Sequence, residues 1–130
     1  MNKTILSVLP VVALAAAVLV PAARSGAQTA PSAADGMRLY QAKCGGCHSI
    51  AANKVGPAHK GVFGRKAGMA PGYNYSPALR AANITWNATT IDQWLQGPQK
   101  MVKGTRMFLS VPNPAERAAI IAYLRSDAAK

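Results

Sequence analysis

Two thiols and an imidazole fall within five consecutive residues, Cys44-Gly45-Gly46-Cys47-His48. A C-x-x-C-H run of this kind is the arrangement through which a c-type haem is tethered. Cysteines three positions apart at a helix end can each add to one vinyl group of a porphyrin. The histidine that follows then lies under the ring, where it can ligate iron axially. Other uses of the same residues fit less well. A thioredoxin-type redox pair needs a β-α-β setting that the flanking sequence lacks. A bare disulfide would leave the adjacent histidine unexplained. A zinc site from Cys44, Cys47, His48 and His59 would ask two neighbouring residues to face one tetrahedral ion. One covalent haem c is the expected cofactor.

An iron that only passes electrons keeps a second axial ligand, and methionine in that place raises the potential and closes the open site. Of the five methionines, Met1 leaves with the N-terminus and Met37 belongs to a helix. Met69 and Met101 read as apolar gap fillers. Met107, in Gly104-Thr105-Arg106-Met107, stands in a loop that can fold back over a ring. His48 and Met107 are therefore the expected metal ligands.

Groups so far apart in sequence need elements to bring them together. Asp35 is a good N-cap for a helix through Lys43, with Met37, Tyr40 and Cys44 on one face. Thr89 could cap a short helix through Leu95, with Asp92 completing a capping box, and Gly97-Pro98 would end it. Asn113 caps a last helix with Pro114 at its first position, Glu116 at its third and Arg125 near its end. Ile120, Ile121, Tyr123 and Leu124 supply its apolar stripe. Between Ser49 and Pro77 runs an irregular stretch rich in Gly, Pro, Asn and Lys, unusual in so small a domain unless it wraps something. The expected fold is all-α, three to four helices and long loops around one covalently attached haem.

The N-terminus reads as an export signal. Lys3 precedes an apolar run over residues 5–23, and small residues at Ser25, Gly26 and Ala27 mark a cleavage site. The expected organisation is a signal peptide over 1–27, a flexible leader over 28–34 and one domain over 35–130, located in the periplasm. An uncleaved membrane anchor is the alternative, because the run approaches a bilayer span. With 130 residues, there is too little chain for a dinucleotide fold or a barrel enzyme. Two cysteines also exclude a multi-bridge secreted framework. A domain this small is expected to need something besides its own side chains to complete a core.

Beyond the C-x-x-C-H run, the chain resembles the small class I cytochromes c, in their mitochondrial-like and bacterial branch. The likeness runs through Gly56-Pro57, Gly61-Val62-Phe63-Gly64-Arg65-Lys66-Ala67-Gly68, Tyr73-Asn74-Tyr75-Ser76, Ile84-Thr85-Trp86, the Met107 loop and Ile120-Ile121-Ala122-Tyr123-Leu124. The resemblance implies that Pro57 offers its carbonyl to the second nitrogen of His48. It also implies that Arg65, Tyr75 and Trp86 hold a haem propionate and that Trp94 lines the haem cavity. Gly36 and Tyr123 would mark the crossing of first and last helices. There are departures. His59 stands where a haem-packing Leu is usual, Lys103 where a proline is frequent, and Leu109 where an aromatic residue is common.

Fifteen Lys and Arg against four acids give a formal charge of +11. Lys43, Lys54, Lys60 and Lys66 follow the thiols closely, and Lys100, Lys103 and Arg106 precede Met107. Meeting at one edge, these cations would steer acidic redox proteins or membrane electron-transfer complexes into contact. Export and the lack of a basic helix argue against nucleic acid, while weak contact with an anionic membrane surface is compatible. The implied function is that of a monomeric periplasmic one-electron carrier, not an enzyme. The rival is a haem protein with a labile sixth ligand, a peroxidase or gas binder, motivated by Lys103 and Leu109.

Overall fold

Short polar side chains decide where the helices begin. Ser32 accepts from the Asp35 N–H at 3.1 Å and opens α1 (Ala33–Lys43). The cap is thus Ser32 and not Asp35, whose carboxylate instead lies in the first turn, where the helix dipole favours it. α1 thus opens two residues before the expected domain start at 35. Ser76 caps α2 (Pro77–Ala81). Asn87 and Thr90 form a reciprocal capping box at the start of α3 (Ala88–Gln96), in place of the expected Thr89 and Asp92. Gly97 ends α3, and Pro98 at once begins α4 (Pro98–Met101). Asn113 caps α5 (Pro114–Arg125) as expected, with Pro114, Glu116 and Arg125 in their foreseen places. A final 3-10 turn covers Asp127–Ala129.

The computed structural model describes residues 30–130; the expected signal segment lies outside the described residues. Among the described residues there is no strand, only an isolated bridge between Lys66 and Thr85. The all-α expectation holds, with α2 and α4 as short helices beyond the three longer ones.

The frame is the crossing of α1 and α5. A Cβ on Gly36 would fall 1.9 Å from the Ala119 carbonyl oxygen and 2.8 Å from the Tyr123 Cβ, so the helices approach backbone to backbone. Met37, expected on this face, is 39 % exposed, and Gly36 takes its place beside Tyr40. Tyr40 and Tyr123 rings pack 5.2 Å apart, and Lys43 pairs with Glu116 at 3.2 Å across the same crossing. Ile120 is fully buried, worth about 1.5–3 kcal/mol. Arg117 ties α5 to its surroundings. It bonds Asp92 of α3 at 2.7 Å and the Val111 and Pro112 carbonyls at 3.0 and 2.8 Å, which fixes the segment between Met107 and α5.

The irregular stretch after His48 is held by specific bonds rather than by a period. Gly56 N–H donates to Cys47 O, and the His59 and Lys60 amides donate to Ser49 and Ile50. Asn53 both donates to Pro71 O and accepts from Ala58 N–H. Gly64 and Arg65 exchange backbone bonds with Trp86. The result is a wall of loop facing the helical frame across a central space.

Candidate haem-binding site

That space is a cavity of about 540 Å³, and its walls are mainly apolar. Cys44, Cys47 and His48 follow α1 directly, because the Cys44 and Gly45 amides both bond back to Tyr40 O and end the helix there. Cys44 is buried and Cys47 exposed, both as free thiols on the cavity wall. Burial pushes the Cys44 thiol up to about 11.

His48 Nδ1 lies 2.9 Å from Pro57 O. A carbonyl can only accept, so Nδ1 carries the proton and Nε2 keeps its lone pair for a metal. Burial holds the His48 pKa below its usual value, against the opposing pull of the Pro57 bond, which favours the neutral imidazole a metal requires. A Cβ on Gly56 would sit 2.2 Å from His48 Cε1. Only glycine lets the chain pass this close to the ring.

Met107 reaches the same cavity from the opposite end of the chain. The Trp94 indole N–H, from α3, donates to Met107 Sδ at 3.1 Å. Gln99 braces the Met107 loop by accepting from Gly104 N–H and donating to the Thr105 carbonyl. Arg106 donates to Asn74 O at 2.8 Å, and Thr105 is buried. The loop is therefore tied down at three points despite Lys103. Met101 packs against the core, as a gap filler should, whereas Met69 is 63 % exposed and fills nothing.

Arg65, Tyr75 and Trp86 line the cavity as well. Arg65 donates to the carbonyls of Lys60 and Ala58, yet its Nε is buried without a partner. A buried guanidinium donor left idle is costly and calls for an anion beside it. Tyr75 accepts from the Ala70 N–H, and burial pushes its pKa up, so its hydroxyl stays a donor. Trp86 and Trp94 meet edge to face at 5.3 Å. All nine residues expected at the site, Cys44, Cys47, His48, Pro57, Arg65, Tyr75, Trp86, Trp94 and Met107, border this one cavity.

Two paired thiols, a metal-ready imidazole, a thioether, an idle buried cation and apolar walls together suit a flat, apolar, iron-bearing group with acidic substituents. The residues present fit a haem. Sequence reasoning missed the supports: Gly56 beneath His48, Gln99 behind the Met107 loop, and the placement of His59. His59 stacks on His48 with ring centroids 4.1 Å apart, on the same side of the cavity. It is therefore placed beside His48 and not across from it. Of the expected rim cations, Lys43 and Arg106 border the cavity, and Lys54 reaches back to Gly45 O at 2.6 Å.

The family model for cytochrome c matches residues 33–127. The chain is 39 % identical to a cytochrome c of Sesamum indicum, over 72 % of this chain and 88 % of that protein. It is 42 % identical to a cytochrome c2 of Rhodopila globiformis, over 71 % and 90 %. Among solved structures it is similar to cytochrome cH from Methylobacterium extorquens, with a TM-score of 0.69 and 44 % identity, covering 72 % of this chain and 97 % of that one.

Proposed function

We propose His48 and Met107 as the axial iron ligands of this chain, which belongs to the cytochrome c family. Members of that family are electron carriers with covalent haem c, and the paired Cys44 and Cys47 are its attachment points here. The haem supplies a single iron that gains and loses one electron. The protein supplies its surroundings. Pro57 keeps His48 in the tautomer that offers Nε2. Trp94 orients the Met107 thioether through its sulfur. Arg65, with Tyr75 and Trp86, offsets the charge of a propionate that the apolar walls alone would neutralise. A carboxylate beside Arg65 Nε would complete its bonding.

Were His48 and Met107 both to ligate the iron, no coordination site would be left for a substrate, which favours a carrier over an enzyme. The bracing of the Met107 loop by Gln99 and Arg106 weighs against a labile sixth ligand. Export to the periplasm follows from the N-terminal sequence, with removal of residues 1–27 and a short linker before α1. No helix among the described residues is long and apolar enough to cross a membrane. The proposed partners are acidic redox proteins or membrane electron-transfer complexes, met at the cavity mouth where exposed Phe108 and Leu109 lie beside Arg106.

The observation that carries this reading is the bond from Trp94 to Met107 Sδ in the cavity that His48 also borders. Its test is the optical spectrum of purified holoprotein. Met107→Ala is expected to lose the long-wavelength band of Met–iron ligation, and Met101→Ala to keep it. An unchanged spectrum in Met107→Ala would overturn the ligand assignment.

A further inference from the structure

One hydrogen bond does not fix a ligand ring. The bond from His48 Nδ1 to Pro57 O sets which nitrogen is protonated, but the imidazole can still turn about the line that passes near both nitrogens. Something must rest against the ring to stop that turn. His59 does so: its ring lies 4.1 Å from that of His48 with 20° between the planes. His59 is itself anchored. Its Nδ1 and the Tyr40 hydroxyl share a 3.1 Å hydrogen bond, and the two rings meet edge to face at 5.6 Å. Tyr40 is 4 % exposed, one helical turn before Cys44 on α1, and its own ring packs on Tyr123 of α5. A continuous series of contacts thus runs from the helix crossing through Tyr40 and His59 to the face of His48.

The stack is one of flat face on flat face, with the far edge of His59 tied to α1 through Tyr40. Burial keeps the Tyr40 hydroxyl protonated. A leucine in this place would fill space, but its branched end offers no flat face and no anchor to α1.

We propose that His59 is a positioning residue, held by Tyr40, that sets the rotation of the His48 ring about its axial bond. This rests on His48 being an axial ligand. Ring rotation matters because the plane of an axial imidazole selects which iron orbital carries the unpaired electron in the ferric state, and so where spin density appears on the porphyrin. The effect is one of outer residues tuning a metal through its ligand.

The test compares ferric holoproteins by the hyperfine-shifted haem-methyl and His48 ring resonances in proton NMR, with g-values from electron paramagnetic resonance. His59→Leu is expected to rearrange the haem-methyl shift pattern. His59→Phe, which keeps a flat ring but loses the bond to Tyr40, is expected to move it less than His59→Leu does, and a shift as large as that of His59→Leu overturns the role of the flat face. Tyr40→Phe, which removes only the anchor, is expected to move the pattern part of the way in the same sense. A wild-type pattern in His59→Leu overturns the proposal. If His59→Leu does not retain haem, Tyr40→Phe decides: a displaced pattern supports the proposal and an unchanged one overturns it. Absence of shifted His48 ring resonances from the wild-type protein would overturn the axial assignment itself, and this is distinguishable from failure in the variants alone.

Discussion

An indole N–H has one direction in which to donate, and in this molecule Trp94 points it at a thioether. With Met107 as the proposed ligand, donation to its Sδ would draw electron density from the sulfur, make it a poorer donor to a ferric iron and favour the reduced state. Trp94→Phe is therefore expected to lower the reduction potential, by the equivalent of about 1 kcal/mol for one weak hydrogen bond. A redox titration of the holoprotein measures it; a potential equal to wild type would refute the role given to the indole. At this scale the sequence was readable wherever the chemistry needs adjacent residues. Cys44, Cys47 and His48 announce themselves because the thioether attachment and axial ligation proposed for them demand that spacing. The stack of His59 on His48 does not, since its anchor Tyr40 comes from a different element. The idle Nε of Arg65 is likewise invisible until its two carbonyl partners are known.

Among the elements, α1 answers to two different demands. Its outer end is a matter of capping. The Asp35 pKa is lowered, first by the Ser32 hydroxyl and next by Arg38. A carboxyl depressed on folding contributes stability that is present above its unfolded value and lost as the pH falls through its folded one. Protection of the first-turn amides of α1 against hydrogen exchange should therefore decline below about pH 4. In Asp35→Asn that decline should be absent, and a variant that still showed it would point to another group. The inner face is a matter of clearance. Because any Cβ on Gly36 would collide with the Ala119 carbonyl, Gly36→Ala must push α1 and α5 apart. A loss of about 3 kcal/mol is expected in denaturant unfolding, the upper range for overpacking. These elements were legible to unequal degrees. Asn113-Pro114 announced α5 because cap, proline and stripe coincide. Ser32 against Asp35, and Asn87 against Thr89, are choices among neighbouring polar residues that only the local bonding settles. α2 and α4, five and four residues long, are too short to have a period at all.

For the whole molecule, the excess of cations sets how it meets others. Three of the cations near the cavity also make contacts within the protein: Lys43 with Glu116, Lys54 with Gly45 O and Arg106 with Asn74 O. These bonds position their charges without cancelling the positive excess, which persists when Lys3 and Arg24 of the proposed signal segment are set aside. Electron exchange with an acidic redox protein is accordingly expected to slow by about tenfold or more between low and high ionic strength. Reaction with a neutral small oxidant should stay nearly constant, and equal salt dependence for the two would remove the case for steering. The central space has a consequence of another kind. In most small proteins, enlarging the side chains around an internal void is a dependable way to raise thermal endurance. Here the void is the proposed seat of the haem, so a bulkier Leu95, Ile120 or Leu124 would compete with the porphyrin for room. Any engineer seeking a hardier version must work from outside, at helix starts and surface loops, and leave the inner walls alone.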